Sequence, residues 1–247
     1  MCIIGFRYWP EDPVPLIVAA NRDEFYDRPT APLTWWEGQR ILAGQDLWSG
    51  GTWMGVSRDG RFVAITNFRE AERARNGAPS RGFIPLHFLE AGGSTADFLG
   101  WLRKEAKRYA PFNVLVYDGA DLLGYESRHD RELAFAPGIH AVSNGDFNEP
   151  WPKVEALKAG MAVGTDDDEA LLALLGNARR FPDGHLPHTG VPMEWERALS
   201  SAFVRTPTFG TRTSAILRLG RERVSMLERQ FNTGEPGGLR EFEFEPG

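Results

Sequence analysis

The sequence of 247 residues predicts an α+β fold in which helices pack against stacked β-sheets. Two observations predict it. Strand-like runs dominate both ends of the chain, and helical stretches with N-terminal capping signals occupy the middle. Chains of roughly 250 residues often form one sandwich or barrel, so we expect residues 1–247 to fold as a single domain.

The strand predictions begin with two apolar runs, residues 2–8 and 16–20, separated by a proline-rich loop in the manner of a hairpin. The second run is apolar almost throughout, which is typical of a strand covered on both faces. The Asp-Gly turn at residues 58–60 predicts a tight hairpin. It joins the first two of the further strands expected, which are 53–57, 61–67, 113–117, 122–127, 139–143, 215–219, 224–229 and 241–244.

Helices are expected at residues 81–90, 94–109, 152–161 and 166–175. Ser94 can cap the second of these, with Asp97 three residues on as a short form of the capping box. Pro152 suits a first helical turn, and three aspartates at 166–168 favour the positive end of a helix dipole.

Composition excludes several classes of function. With 28 Lys and Arg against 34 Asp and Glu, the net charge of −6 gives no basic footprint for nucleic acid or an anionic membrane, and we expect neither partner. No stretch approaches the roughly 18 apolar residues of a membrane span. A single cysteine excludes an internal disulfide, and the absence of a secretory leader favours a reducing, cytoplasmic location.

That cysteine, Cys2, is the sharpest chemical feature of the sequence. Removal of the initiator methionine would leave a thiol and a free α-amine on one residue. The amine has an ordinary pKa of about 8, so it can take the proton of the thiol near neutral pH without a separate histidine. The alternative is that Cys2 is a small apolar residue at the start of a buried strand.

A polar cluster, Asn21, Arg22, Asp23 and Glu24, ends the second apolar run and would lie close to Cys2 in the hairpin. Charged groups at the end of a buried strand are costly unless they are paired or functional. Arg22 could lower the pKa of a thiol or bind a carboxylate, and Asp23 could orient an α-ammonium group. The alternative is a surface ion pair in a turn, which contributes little.

Seven motifs now form an ordered set. They are Met1-Cys2-Ile3, Asn21-Arg22-Asp23-Glu24, Gly50-Gly51-Thr52-Trp53-Met54-Gly55, Thr66-Asn67-Phe68-Arg69, Ser80-Arg81-Gly82, Ser143-Asn144 and Gly210-Thr211-Arg212-Thr213. The set resembles the NRDE family, also called the transport-and-Golgi-organisation-2 (TANGO2) family, over almost the whole chain. This resemblance implies a four-layer αββα fold similar to the cysteine N-terminal-nucleophile hydrolases, which include penicillin V acylases and bile-salt hydrolases. Haem or lipid handling has also been proposed for the family.

The resemblance to the cysteine acylases implies roles for individual residues. Cys2 matches their nucleophile and Asp23 the acidic residue that orients the terminal amine. Asn67 and Asn144 match asparagines that line the oxyanion site, and Arg212 matches a late arginine near the nucleophile. One departure is that the acylase arginine usually lies a few residues before the acidic residue, where this chain has Ala20.

Substrate contacts are expected from Arg22, Asn21, Asp46 and Trp53, the last two lying on either side of a glycine turn. That turn lacks the lysine and spacing of a phosphate-binding loop. His185 and His188 have no completing ligands nearby in sequence, so we expect no metal. We also expect no cofactor, with haem only as a ligand.

Two functions therefore compete. The first is hydrolysis of a non-peptide linear amide, with Cys2 as nucleophile and its own α-amine as base. The second is non-catalytic binding or trafficking of haem or a lipid in the same cleft. The expected partner is in either case a small molecule, an amide or a hydrophobic ligand.

Overall fold

A computed structural model describes residues 2–70, 77–164 and 167–247 of the chain. Thirteen strands lie in these ranges: β1 (Cys2–Tyr8), β2 (Leu16–Phe25), β3 (Thr30–Trp35), β4 (Ile41–Asp46), β5 (Met54–Ser57), β6 (Phe62–Asn67), β7 (Phe112–Tyr117), β8 (Leu122–Glu126), β9 (Arg131–Ala134), β10 (Gly138–Val142), β11 (Phe209–Leu219), β12 (Val224–Asn232) and β13 (Glu235–Phe244). The α-helices there are α1 (Phe83–Ala91), α2 (Thr95–Glu105), α3 (Pro152–Val163), α4 (Asp168–Leu175) and α5 (Met193–Ala198).

The strands form two antiparallel sheets. The first sheet has six strands in the order β10-β1-β2-β11-β12-β13, and the second has seven strands in chain order from β3 to β9. The ends of the chain thus build the first sheet, and its middle builds the second. β1 and β2 form the hairpin expected from the sequence, and β11 extends it on the far side of β2.

Three apolar clusters show that the fold has four layers, helices on each outer face of two stacked sheets. Ile4, Phe6 and Val18 of the first sheet pack against residues such as Leu42 and Phe62 of the second. The other two clusters lie outside the sheets, where α1 and α2 cover the second sheet and α3 and α4 cover the first. The α+β class and the αββα layering expected from the sequence are confirmed.

Several local predictions are confirmed at the level of single hydrogen bonds. Ser94 and Asp97 form the reciprocal capping box at the start of α2. Gly60 adopts φ +80° in the turn between β5 and β6, as the Asp-Gly pair requires. The expected helix 166–175 is α4, which begins later at Asp168 and is capped by the side chain of Asp167. Asp166 lies outside the described residues.

Other predictions are corrected. Four elements, β3, β4, β9 and α5, were not predicted from the sequence. Pro32 interrupts β3 and Gly44 lies within β4, which weakens their strand pattern, while β9 is a short, mostly exposed edge strand. The α-helix expected to reach residue 109 ends at Glu105 and continues as a 3₁₀ turn, Ala106–Arg108. No helix in the described ranges is long and apolar enough to cross a membrane.

Candidate active site

Cys2 faces the space between the two sheets. Side chains of a strand alternate between its faces, and Ile4 and Phe6 lie in the inter-sheet core whereas Ile3 lies under α3 and α4. Cys2 shares the parity of Ile4 and pairs directly with Arg22 of β2. The two side chains therefore lie on one face, at the end of the first sheet.

A cavity of about 330 Å³ opens at this end of the sheets. Cys2, Arg22 and Asn67 contribute to its wall, together with residues of the segments that follow β2, β4 and β6. Two of the expected substrate contacts, Asp46 and Trp53, are also in the wall. Asp23 also contributes to the wall, so the structure gathers six of the predicted site residues around one cavity.

Arg22 is held rigidly in this wall. Its guanidinium donates to Asp46 Oδ2 at 3.0 Å and to Thr30 Oγ1 at 3.1 Å, and it stacks on the Trp53 ring at 4.4 Å. Only 5% of its surface is exposed. Buried guanidinium groups are tolerated when paired and hydrogen-bonded in this way, so Arg22 forms a fixed positive wall beside Cys2.

Asp46 is the acceptor that joins the charged groups of the wall. Besides Arg22 it accepts from Arg28 Nε at 2.5 Å and from the backbone N–H groups of Trp48 and Ser49. Burial raises the pKa of Asp46, but the hydrogen bonds from Arg28 and Ser49 outweigh it, and the pKa lies below its usual range. Asp46 is therefore ionised at neutral pH and fixes both arginines.

Asp23 lies on the opposite face of the sheet from the thiol, next to the helix layer. Its Oδ1 accepts from Thr211 Oγ1 at 2.7 Å, and it is 1% exposed. Burial raises the pKa of Asp23, and the positive charge of Lys153 on α3 partly offsets this. An acidic group placed here can reach the backbone at the start of β1, and Asp23 also contributes to the cavity wall.

A buried charged cluster surrounds Asp23 on this face. Arg69 and Glu196 form an ion pair at 2.6 Å, with both side chains almost fully buried. Lys153 is 3% exposed, and its Nζ has no hydrogen-bond partner among the described residues. Lys153, Leu157 and Met161 share one face of α3, and the last two lie over Gly5, so the helix places Lys153 over the Cys2 end of β1.

Burial raises the pKa of the Cys2 thiol above its ordinary value, although the nearby charge of Arg22 acts in the opposite direction. This shift favours the neutral thiol. A neutral thiol attacks a carbonyl carbon only if a base takes its proton. The site therefore needs a base close to Cys2, which is the role that the sequence analysis gave to the α-amine.

Asn67 and Asn144 come together beside Cys2, but in different positions. Asn67 lines the cavity, whereas Asn144 lies behind it and donates through Nδ2 to the Asn67 carbonyl oxygen at 2.9 Å. Ser143 donates through Oγ to the Cys2 carbonyl oxygen, also at 2.9 Å. These two hydrogen bonds, from the neighbouring residues Ser143 and Asn144, fix the ends of β1 and β6 relative to each other. Of the two asparagines, Asn67 is the one that a ligand can reach.

Asn21 is placed outside the cavity, in contrast to the expectation that it contacts substrate. Strand alternation turns it toward the helix layer, where Nδ2 donates to the carbonyl oxygens of Leu175 and Ala202. Its Oδ1 accepts from Ser214 at 2.6 Å. These three bonds make Asn21 an anchor between the first sheet and the segments that cover it.

Arg212 lies at a bulge in β11, where the register with β2 shifts between Thr211 and Thr213. Its Nη1 donates to the carbonyl oxygens of Phe25, Tyr26 and Arg28 at 3.0–3.2 Å. In the structure Arg212 therefore braces the turn after β2 that carries Arg28, rather than lining the cavity itself.

The loop that closes the cavity in front of α1 is a part of the site to which no role was assigned from the sequence. Gly82 packs on Gly51 so closely that a Cβ on Gly51 would lie 2.5 Å from the Gly82 carbonyl carbon. The N–H of Thr52 donates to the Gly82 carbonyl oxygen at 3.1 Å. This contact brings Ser80 and Arg81 into the cavity wall. The Ser80-Arg81-Gly82 motif was the available signal for it.

The sequence matches the family described as Transport and Golgi organisation 2 over residues 1–233. The chain belongs to this family. Among TANGO2 relatives, a protein called Transport and Golgi organization protein 2 homolog from Bos taurus is 32% identical, with 96% of this chain and 95% of the relative covered. The Homo sapiens protein of the same name is 31% identical, with 93% and 92% covered.

Among solved structures, this TANGO2 chain is similar to the Caenorhabditis elegans N-acylethanolamine-hydrolyzing acid amidase (NAAA) ortholog. The TM-score is 0.50 at 10% identity, and 88% of this chain and 92% of that one are covered. At this identity the likeness concerns the fold, which is that of the N-terminal-nucleophile hydrolases. No three His, Cys, Asp or Glu side chains of the described part of the chain are grouped to hold a metal ion.

Proposed function

We propose that this TANGO2 chain hydrolyses a non-peptide linear amide, with Cys2 as the nucleophile after removal of Met1. The observation that carries the proposal is that Cys2 and Asp23 present their side chains to opposite faces of the first sheet. The Cys2 side chain at the start of β1 faces a cavity, while the buried carboxylate of Asp23, on the neighbouring strand β2, lies on the other face of the sheet. A substrate can then reach the Cys2 thiol from the cavity, while Asp23 interacts with the α-amine of the same residue from the other face of the sheet.

The steps follow from this geometry. The α-amine of Cys2 takes the thiol proton as sulfur attacks the amide carbon, and the carbonyl oxygen becomes an oxyanion. We assign to Asn67, which lines the cavity, the role of donor to that oxygen, since neutral amide donors suit a developing negative charge. The ammonium group then gives its proton to the leaving amine, and water hydrolyses the thioester.

Asp23 is proposed to orient the α-amine and to stabilise its protonated form. Its bond to Thr211 fixes the carboxylate, and its burial strengthens any interaction with a nearby cation. Asn144 acts through Asn67 as a positioning residue, because its amide holds the Asn67 carbonyl.

The test combines intact mass with turnover. Purified protein is incubated with N-acyl derivatives of a neutral aminocoumarin and of an aminocoumarin that carries a carboxylate, each with short, medium and long acyl chains, and release of the fluorescent amine is followed. Wild type should begin at Cys2 by mass and release the amine, Cys2→Ala should release none, and Ser225→Ala at the opposite end of the sheet should match wild type. Retention of Met1, or equal rates in wild type and Cys2→Ala, would contradict the mechanism.

The alternative function, haem carriage, can be distinguished from amide hydrolysis in the same samples. The charged wall of the cavity, with Arg22, Arg28 and Asp46, favours a polar amide over a large apolar ring system. Stoichiometric binding of haem, seen as a saturable shift of its Soret band, without amide turnover would favour carriage instead.

A further inference from the structure

Arg81 is a cavity residue that the proposed chemistry does not use. It precedes α1 in the loop that packs on Gly51 and Thr52, and its position is defined from both sides. Ser80 Oγ accepts from the N–H of Gly82 at 3.2 Å, and Arg81 Nη1 donates to the Pro111 carbonyl oxygen at 3.0 Å. The guanidinium is thus held at a fixed place in the wall that also contains Cys2.

Arg81 differs from the two other arginines in the wall in the pairing of its charge. Arg22 and Arg28 share Asp46, at 3.0 and 2.5 Å, and both lie within 3.9 Å of Glu24. Arg81 forms no ion pair with any residue in the described ranges. A guanidinium has five N–H donors, and the described contacts of Arg81 use one of them.

A fixed guanidinium without a carboxylate partner, largely shielded from solvent, is a strong site for a planar anion. Asp46 and Glu24 cannot serve as that anion, since the other two arginines hold them. Asp23 lies on the opposite face of the sheet, bound to Thr211. Within the described ranges no carboxylate of the cavity wall is left for Arg81, so a group on the ligand is the partner of suitable charge.

We propose that Arg81 binds a carboxylate of the substrate, so that the amides accepted by this site carry a negative charge close to the bond that Cys2 attacks. The proposal rests on the proposed function for the identity of the reacting bond. It adds the substrate class, an anionic amide, and the residue that selects it.

The test uses two reagents that differ in charge and share one reaction. Iodoacetate and iodoacetamide both alkylate a thiol: sulfur bonds to the methylene carbon, iodide leaves and the thiol proton passes to solvent. Labelling rates of Cys2, the only cysteine, are read by intact mass. The ratio of the iodoacetate rate to the iodoacetamide rate is divided by the same ratio for N-acetylcysteine, which removes the intrinsic difference between the reagents.

Wild type should show a normalised ratio of about ten or more, the effect of one charge-assisted hydrogen bond. Arg81→Met should lower it to within about twofold of one, and Arg81→Lys should retain part of it. Arg103→Met, an exposed arginine on α2, should behave as wild type. The iodoacetamide rate should stay within about twofold of wild type in every variant, which reports an intact cavity.

Three results would overturn the proposal. A wild-type ratio near one means that no anion site lies beside the thiol, and a ratio that persists in Arg81→Met places that site on another residue. An equal fall of both rates in Arg81→Met and Arg81→Lys means that Arg81 acts on the thiol instead of on a ligand. The proposed hydrolysis is judged separately, by amine release, so either idea can fail without the other.

Discussion

Replacing Lys153 with methionine should stabilise the protein at neutral pH. Burial lowers the pKa of Lys153 from 10.5 to about 7, and the charge of Arg69 acts in the same direction, while Asp23, Cys2 and Glu196 oppose it. The unfolded chain holds Lys153 in water, where the amine keeps its ordinary pKa. Folding therefore has to remove a proton from the amine or bury its charge.

The magnitude follows from the difference between the two pKa values. A difference of about 3.5 pH units corresponds to about 5 kcal/mol, of which about 4 kcal/mol acts at pH 7, where half of the folded molecules have a neutral amine. Methionine has a similar length and no charge, and it can pack beside Leu157. We expect Lys153→Met to raise the free energy of unfolding by about 3–4 kcal/mol at pH 7.

The sign of the pH dependence gives a second, sharper reading. Between pH 7 and 10.5 the unfolded chain binds more protons at Lys153 than the folded protein, so wild-type stability rises with pH, by about 1.4 kcal/mol per pH unit for this group. The variant lacks this rise, and its advantage should shrink between pH 7.5 and pH 9 by about 2 kcal/mol.

Urea denaturation of wild type, Lys153→Met and the exposed control Lys104→Met at both pH values measures the effect. The control should follow wild type at each pH. A variant that is less stable than wild type at pH 7, or whose advantage is the same at both pH values, would show that Lys153 is a charged and stabilising partner of Asp23.

Two further substitutions test other buried charges. Glu228 accepts from the N–H of Leu33, and burial raises its pKa to about 7 from 4.5. Between pH 4.5 and pH 7 the folded protein therefore binds more protons at Glu228 than the unfolded chain does. The free energy of unfolding of wild type, measured by urea denaturation, should fall by about 3 kcal/mol relative to that of Glu228→Gln as the pH rises from 4.5 to 7. Glu196→Gln leaves the buried Arg69 without its carboxylate and should cost about 3–5 kcal/mol in the same assay at pH 7. The control, Glu132→Gln, removes one partner of an exposed ion pair and should not change the free energy of unfolding measurably. An equal loss of stability in Glu196→Gln and Glu132→Gln would contradict the prediction for the buried pair.

The two hairpins and the α+β class were predictable because local signals agree with the fold, whereas the αββα layering followed from the family resemblance and the order of the strands in each sheet was not predicted. The apolar runs of β1 and β2, the Asp-Gly turn and the Ser94 cap depend on neighbours in sequence, and each is confirmed. β4 was harder to predict, since its Gly44 is explained only by the ring of Trp53, which would lie 2.5 Å from a Cβ there. That contact joins segments that no local pattern connects.

The polar cluster after β2 shows how far the site could be predicted. All four residues were expected near Cys2, but a strand turns successive side chains to opposite faces. Arg22 therefore faces the cavity, while Asn21 and Asp23 face the helix layer. The apolar run before them is buried on both faces, so the sequence contained no pattern that would tell one face from the other.

The charged groups behind the site had no sequence signal at all. Lys153 is the second residue of α3, and nothing in the sequence at the start of this helix indicates a buried charge. Glu196 lies in α5, a short helix that the sequence pattern did not predict. The charged groups that act on them, Asp23 in β2 and Arg69 in the segment after β6, lie far away in the chain. Only the packing of α3 and α5 on the first sheet brings these groups together.

The contact between Gly51 and Gly82 restricts how this site can diversify. A side chain at Gly51 would meet the Gly82 backbone at 2.5 Å, so a single replacement there would push the loop and Arg81 out of the wall. Chains that keep the loop must inherit a glycine at position 51, whatever reaction they perform. New ligand preferences are more easily acquired in the turn after β4, which contributes Ser49 to the wall and in which Trp48 is 62% exposed and stacks only on Arg28 among the described residues. Evolution of this cavity is therefore expected to vary that turn while the contact between Gly51 and Gly82 stays constant.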